Sequence, residues 1–182
     1  MNIRLDKLKA RPQQVAIDEP VAAFPVLSEV AEREGFEFVE PITGSCLATW
    51  VGDVVEVTGH LQSRVKTPCG RCLEEVEQEL QVDVLLCYVP EGRKDRGDSA
   101  MNEVELDEDD LGLIIVHGDE IELRTDLDQE LVMALPGQVL CDEGCDGLCP
   151  VCGVNRNDSV CRCEVPQFHS NLAALKNFKA EK

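Results

Sequence analysis

Ten of the 182 residues are cysteine, and eight of them fall into short-spaced groups: Cys69-Gly-Arg-Cys72, then Cys141, Cys145, Cys149, Cys152, Cys161 and Cys163. Nothing else in the chain restricts its folding as much, because thiols this close must be metallated, oxidised or held apart. The opening MNIRLDKLKA has no apolar stretch of signal-peptide length, and no segment approaches the ~18 to 20 apolar residues of a membrane span. A soluble cytoplasmic protein is expected. In that reducing compartment clustered cysteines hold metal more often than they form disulfides.

The last four cysteines lie in CPVCGVNRNDSVCRC. Zinc takes four ligands in a tetrahedron, and a C-x-x-C turn places two thiolates on one side of the ion. Cys149 and Cys152 supply that side, and Cys161 and Cys163 the other. Pro150 stiffens the turn, and Gly153 can take the positive φ that lets backbone N–H groups approach the sulfurs. The alternatives are free thiols or disulfides, and a C-x-C disulfide is strained in its ring. Four sulfurs also accept iron, although nothing in the spacing favours it over zinc.

Cys69, Cys72, Cys141 and Cys145 remain as two pairs separated by 68 residues. Brought together, they form a second zinc site that clips the sheet to the segment leading into the knuckle and closes a long loop. A competing grouping is a six-cysteine carboxy-terminal cluster, with Cys69 and Cys72 left as an ordinary thiol pair. A redox role for Cys69 and Cys72 requires a lowered thiol pKa, commonly from a helix start, whereas LEEVEQEL follows here in an alternating, acid-rich context. Cys46 and Cys87 lie in strand patterns and read as small buried hydrophobes. His60, His117 and His169 are scattered. No Ser/His/Asp order, phosphate loop or H-E-x-x-H appears, and a four-thiolate site leaves no open position for substrate, so a non-enzymatic protein is expected.

The scaffold reads as α+β: mainly an antiparallel meander, a few helices and the carboxy-terminal zinc knuckle. Ile42 to Val51, then Val55, Val57, Leu61 and Val65, then Val76, Leu80, Val82, Val84, Leu86 and Tyr88 alternate with polar residues. That period of two predicts three antiparallel strands, the first pair turning at Gly52-Asp53. LGLIIVHGDEIEL predicts a further hairpin turning at His117-Gly118-Asp119. Thr125 is placed to cap a helix with Leu127, Leu131, Ala134 and Leu135 on one face, ending at Pro136-Gly137. A second helix is expected from Ser170, with Leu172, Leu175 and Phe178 on its apolar side. These elements divide the chain into a sheet core over 1–140, containing an acidic loop at 91–110, and a cysteine-rich zinc-binding segment with the carboxy-terminal helix over 141–182.

Charge narrows the partners. The formal net charge is −19, from 17 basic and 36 acidic residues, and such a chain repels phosphate backbones broadly while suiting a basic protein surface. A small basic island, Arg4, Lys7, Lys9 and Arg11 against Asp6, opens the chain. It reads as a short edge strand or turn with solvated charges, and alternatively as a contact arm for an anionic partner.

Three stretches, TPCGRCLEEVEQEL, ELVMALPGQVLCDEGCDGLCPVCGVNRNDSVCRC and NLAALKNF, together resemble the YceD family, named for accumulation of large-subunit ribosomal RNA. The resemblance implies a cytoplasmic factor in ribosome assembly with no established reaction. The metal-ligand inference extends to Cys69, Cys72, Cys141, Cys145, Cys149, Cys152, Cys161 and Cys163. The expected partner is a ribosomal protein or a precursor large-subunit particle, with no membrane and no small-molecule substrate. Direct RNA contact through Arg156, Arg162, Lys176 and Lys179 is a secondary reading, set against few aromatics and the nearby acids Asp142, Glu143, Asp146 and Asp158.

Overall fold

A computed structural model describes residues 1–91 and 112–164. Residues 92–110 of the acidic loop and the helix expected from Ser170, including Lys176 and Lys179, lie outside the described residues. The chain divides into two compact units: Met1–Thr67 with Glu77–Gly137, and Pro68–Val76 with Gln138–Lys182. The link around Cys69 therefore groups with the cysteine-rich segment, which a linear boundary at 140/141 does not convey. The architecture is mixed α+β with mostly antiparallel strands.

The first unit carries a six-stranded sheet. Strands β2 (Gln13–Glu19), β4 (Ile42–Val51), β5 (Val54–Pro68), β6 (Glu75–Pro90) and β7 (Leu113–Val116) lie in that order, and β3 (Glu37–Phe38) pairs with β5. The alternation in the sequence becomes an inward face: Val55, Val57, Leu61 and Val65 of β5 and Leu80, Val82, Val84, Leu86 and Tyr88 of β6 are all buried. Cys46 is fully buried on β4, which pushes its thiol pKa up, while Cys87 is only partly covered.

The amino terminus is woven into this unit. β1 (Asn2–Arg4) pairs antiparallel with β8 (Glu120–Glu122), and the short helix α1 (Leu5–Leu8) follows β1 directly. Ile3, Leu5 and Leu8 join the apolar core, whereas Lys7, Lys9 and Arg11 stay exposed, with Lys9 Nζ 5.2 Å above the Trp50 ring.

The expected hairpin at His117-Gly118-Asp119 does not form. β7 runs parallel to β6, with Tyr88 opposite Ile114, and β8 leaves to pair with β1. The cause is long-range: Ile3 of β1 offers Ile121 a buried partner, and each is 1 % exposed. Local periodicity carries no trace of a partner so far away along the chain.

Helix α3 spans Leu123–Met133 and starts two residues before Thr125, which lies inside its first turn. The Leu123 amide bonds to the carbonyl of Met1 at 3.0 Å, so the strand pair, not a hydroxyl cap, sets the helix start. Leu123, Leu127 and Leu131 form its buried face. Buried Tyr88 donates its hydroxyl to Asp126 of α3 at 2.6 Å, and burial beside this carboxylate pushes the phenol pKa up.

Helix α2 (Pro25–Glu34) is absent from the sequence expectations, although its punctuation is in the chain: Pro25 occupies the first turn and Gly35 closes the end at φ +77°. No side chain of its own caps its start. Instead Asp128 of α3, 3 % exposed, accepts from the amides of Val26 at 3.0 Å and Leu27 at 2.8 Å. A carboxylate there answers both the unpaired amides and the positive end of the helix dipole.

Candidate metal centres

Pro68–Val76 and the segment from Gln138 build the second unit, and both cysteine groups lie in it. The two C-x-x-C turns share one backbone design. In the first, the Cys69 amide bonds to the Glu74 carbonyl at 2.8 Å and the Leu73 amide to the Cys69 carbonyl at 3.0 Å. In the second, the Cys149 amide bonds to the Val154 carbonyl and the Gly153 amide to the Cys149 carbonyl, both at 2.8 Å. Each design requires a left-handed residue after the second cysteine. Gly153 meets this at φ +74°, but Leu73 occupies the same position at φ +64°.

For a side chain with a Cβ that conformation costs roughly 1–2 kcal/mol. Leu73 is 63 % exposed, so little packing compensates. Leu73→Gly is therefore expected to raise the stability of the second unit by up to about 1 kcal/mol, after the greater chain entropy of glycine is deducted, whereas β-branched Leu73→Val lowers it. The midpoint of thermal unfolding of the second unit, compared among the three chains, checks this.

Four sulfurs gather in each group. Cys69, Cys72, Cys141 and Cys145 form one set, and Cys149, Cys152, Cys161 and Cys163 the other, with the sulfurs of each set all within 4.8 Å of one another. This is a division into four and four, not the six-cysteine grouping. Within the first set Cys69 Sγ lies 3.9 Å from Cys145 Sγ, and Cys72 Sγ 3.5 Å from Cys141 Sγ. None of the ten cysteines is in a disulfide. Zinc–sulfur bonds of about 2.3 Å place tetrahedral sulfurs about 3.8 Å apart, so separations of 3.9 and 3.5 Å fit a shared ion, and each set could hold one.

The electrostatics fit the same occupant. The amide of Cys72, with those of Arg71 and Cys141, holds the Cys69 thiol down at about 6. The amides of Cys152 and Val151 do the same for Cys149, also at about 6. Hydrogen bonds with Cys72 and Cys145 push Cys141 up to about 12, and that with Cys152 pushes Cys163 up to about 12. One thiolate forms readily in each set while the last resists further negative charge, and a divalent cation among the sulfurs relieves that resistance.

Three residues outside the cysteines shape the first set. The Arg71 amide donates to Cys69 Sγ at 3.4 Å, and its guanidinium donates to the carbonyls of Cys145 at 2.9 Å and Glu143 at 3.2 Å. Gly147, at φ +69°, lets the Arg71 backbone approach: a Cβ there would lie 2.9 Å from the Arg71 carbonyl oxygen, which accepts from the Leu148 amide at 2.9 Å. Asn157 Nδ2 donates to Cys145 Sγ at 3.3 Å. Sequence alone does not single out these three; Arg71 and Gly147 close to cysteines, and Asn157 in the loop between Cys152 and Cys161, are the signal that could have found them. Burial separates the sets. Cys69, Cys72 and Cys145 are buried and Cys141 exposed, whereas in the other set only Cys149 is buried.

A redox nucleophile needs access, and Cys69 is fully buried among three other sulfurs. Arg156 and Arg162 are exposed, with no ion pair among the described residues. No helix among the described residues is long and apolar enough to cross a membrane.

Fold and site together define an α+β protein with two four-thiol clusters in a unit distinct from its sheet. The profile described as "Large ribosomal RNA subunit accumulation protein YceD" matches residues 57–179, and the chain belongs to the YceD family. It is also similar to uncharacterized proteins of Mycobacterium bovis (Mb2951c) and Mycobacterium tuberculosis (Rv2926c), each 32 % identical over 106 residues, covering 57 % of this chain and 46 % of the relative. The chain thus spans about half the length of the curated relatives it matches. No solved structure matches it.

Proposed function

We propose that the protein is a non-enzymatic, cytoplasmic factor supporting accumulation of large-subunit ribosomal RNA and assembly of the large subunit. Membership of the YceD family over residues 57–179 carries this reading. In it, two zinc ions held by Cys69, Cys72, Cys141 and Cys145 and by Cys149, Cys152, Cys161 and Cys163 stabilise the second unit. Each ion would supply charge neutralisation and cross-linking, with four thiolates and no open position for a reactant.

Its partner in this reading is a ribosomal protein or a precursor large-subunit particle. Eight thiolates less two divalent ions add four negative charges to the formal −19, which further disfavours broad phosphate binding and suits a basic protein surface. Pull-down at moderate salt is expected to recover large-subunit components, and a deletion strain to accumulate less large-subunit RNA. Recovery of no ribosomal component together with unaltered RNA would refute the function. Arg156 and Arg162, exposed and without an ion pair among the described residues, favour a second reading of direct RNA contact together with Lys176 and Lys179. Under it, changing the four to Gln weakens a gel shift on large-subunit RNA fragments.

A further inference from the structure

The residues between Cys152 and Cys161 close one thiol set and touch the other. Asn157 Nδ2 donates to Cys145 Sγ at 3.3 Å, and its Oδ1 accepts from the Asp146 amide at 2.8 Å. Asn155 Nδ2 donates to Glu74 Oε1 at 2.8 Å, two residues beyond Cys72, and its Oδ1 accepts from the Asn157 amide at 3.0 Å. The Leu148 amide, immediately before Cys149, bonds to the Arg71 carbonyl, and the Arg156 amide to that of Gly147, each at 2.9 Å. Both the entry to the outer set, Cys149, Cys152, Cys161 and Cys163, and the loop that its ion closes are thus hydrogen-bonded to the segments that hold the inner set, Cys69, Cys72, Cys141 and Cys145.

We propose that Asn157 is a positioning residue that couples the two metal sites, so that each ion strengthens the binding of the other. The inference rests on the metal occupancy proposed above. An amide donor aimed at a thiolate stabilises its charge and orients it, as outer-sphere partners of metal ligands do. The loop carrying that donor is ordered at an entropic cost when Cys149, Cys152, Cys161 and Cys163 close around an ion. Once ordered, it presents Asn157 to Cys145 and Asn155 to Glu74, so the inner set binds with part of that cost already met. Linkage makes the effect reciprocal and equal in size. Because three cysteines of the inner set are buried and only Cys149 of the outer one, the outer ion leaves first and its departure weakens the inner one.

The test uses the full chain loaded with zinc and titrated with a competing chelator. The paired change Cys149→Ser with Cys152→Ser isolates the inner site, and its affinity is expected to fall about tenfold. The change Cys69→Ser with Cys72→Ser is expected to weaken the outer site by the same factor. Asn157→Asp keeps an acceptor for the Asp146 amide but sets a carboxylate oxygen against the sulfur. It is expected to weaken the inner site at least tenfold and to shrink the coupling factor toward one.

Cobalt(II) gives a signature that a merely structural role would not move: loss of the N–H···S bond shifts the sulfur-to-cobalt band of the inner site to longer wavelength. Unchanged inner-site affinity and spectrum in Asn157→Asp, or two ions released independently in the unaltered chain, would overturn the coupling while leaving the metal reading intact. A chain that binds no metal at all overturns both.

Discussion

Removal of metal from the full chain is expected to unfold residues 68–76 and 138–164 while the sheet unit stays folded. The second unit has a small apolar cluster, Cys69, Cys72 and Cys145 with Val76 and Leu140 against it, and three of those five residues are proposed ligands. Without an ion the buried thiols lose what organises them. A structural zinc contributes on the order of 10–16 kcal/mol near neutral pH, more than a typical whole domain's net stability of about 5–15 kcal/mol. The first unit instead has a continuous core from Ile3 to Leu131 that includes no proposed ligand. Hydrogen exchange before and after chelation checks this: protection should vanish in the two cysteine-bearing segments and persist in β4, β5 beyond the turn and α3. Elemental analysis of chain purified without chelator should give close to two zinc ions. Zinc-free protein with full protection in the second unit would refute the assignment.

Asp128→Ala is expected to destabilise the first unit by about 3 kcal/mol, since it removes a helix cap and strands two amides, that of Leu27 fully buried. Asp128→Asn, which keeps an acceptor but loses the charge, should cost about half as much. Trp50 is the sole tryptophan and lies in the first unit, so its fluorescence during urea unfolding follows this unit separately from the metal-bound one. An Ala variant that unfolds at the urea concentration of the unaltered chain would show that the carboxylate contributes nothing.

Much of the sheet was legible because its cause is local. Alternation in β4, β5 and β6 is a property of neighbouring residues, and those strands stand where the period of two puts them. The misread elements share a different cause. β8 looked like half of a hairpin because its partner β1 lies at the far end of the chain, and Thr125 looked like a cap because the Met1 carbonyl that receives the Leu123 amide cannot be seen locally. Helix α2 hid behind a short amphipathic stretch, and its cap comes from Asp128, about a hundred residues away.

The thiol groups divide in the same way. By itself the sequence determined that Cys149, Cys152, Cys161 and Cys163 can meet, because their spacing leaves a short turn and a small loop little freedom to keep them apart. It determined equally that the position after Cys152 is a glycine, which the left-handed backbone there requires. Only the tertiary structure decided that Cys69 and Cys72 join Cys141 and Cys145, and that Leu73 bears the conformation that Gly153 takes freely. It alone showed Asn157 of one loop hydrogen-bonded to Cys145 of the other set. The physical reason is chain length: a short span restricts its ends through backbone geometry, whereas 68 residues between two cysteine pairs permit many separations, and the packing of everything between selects one.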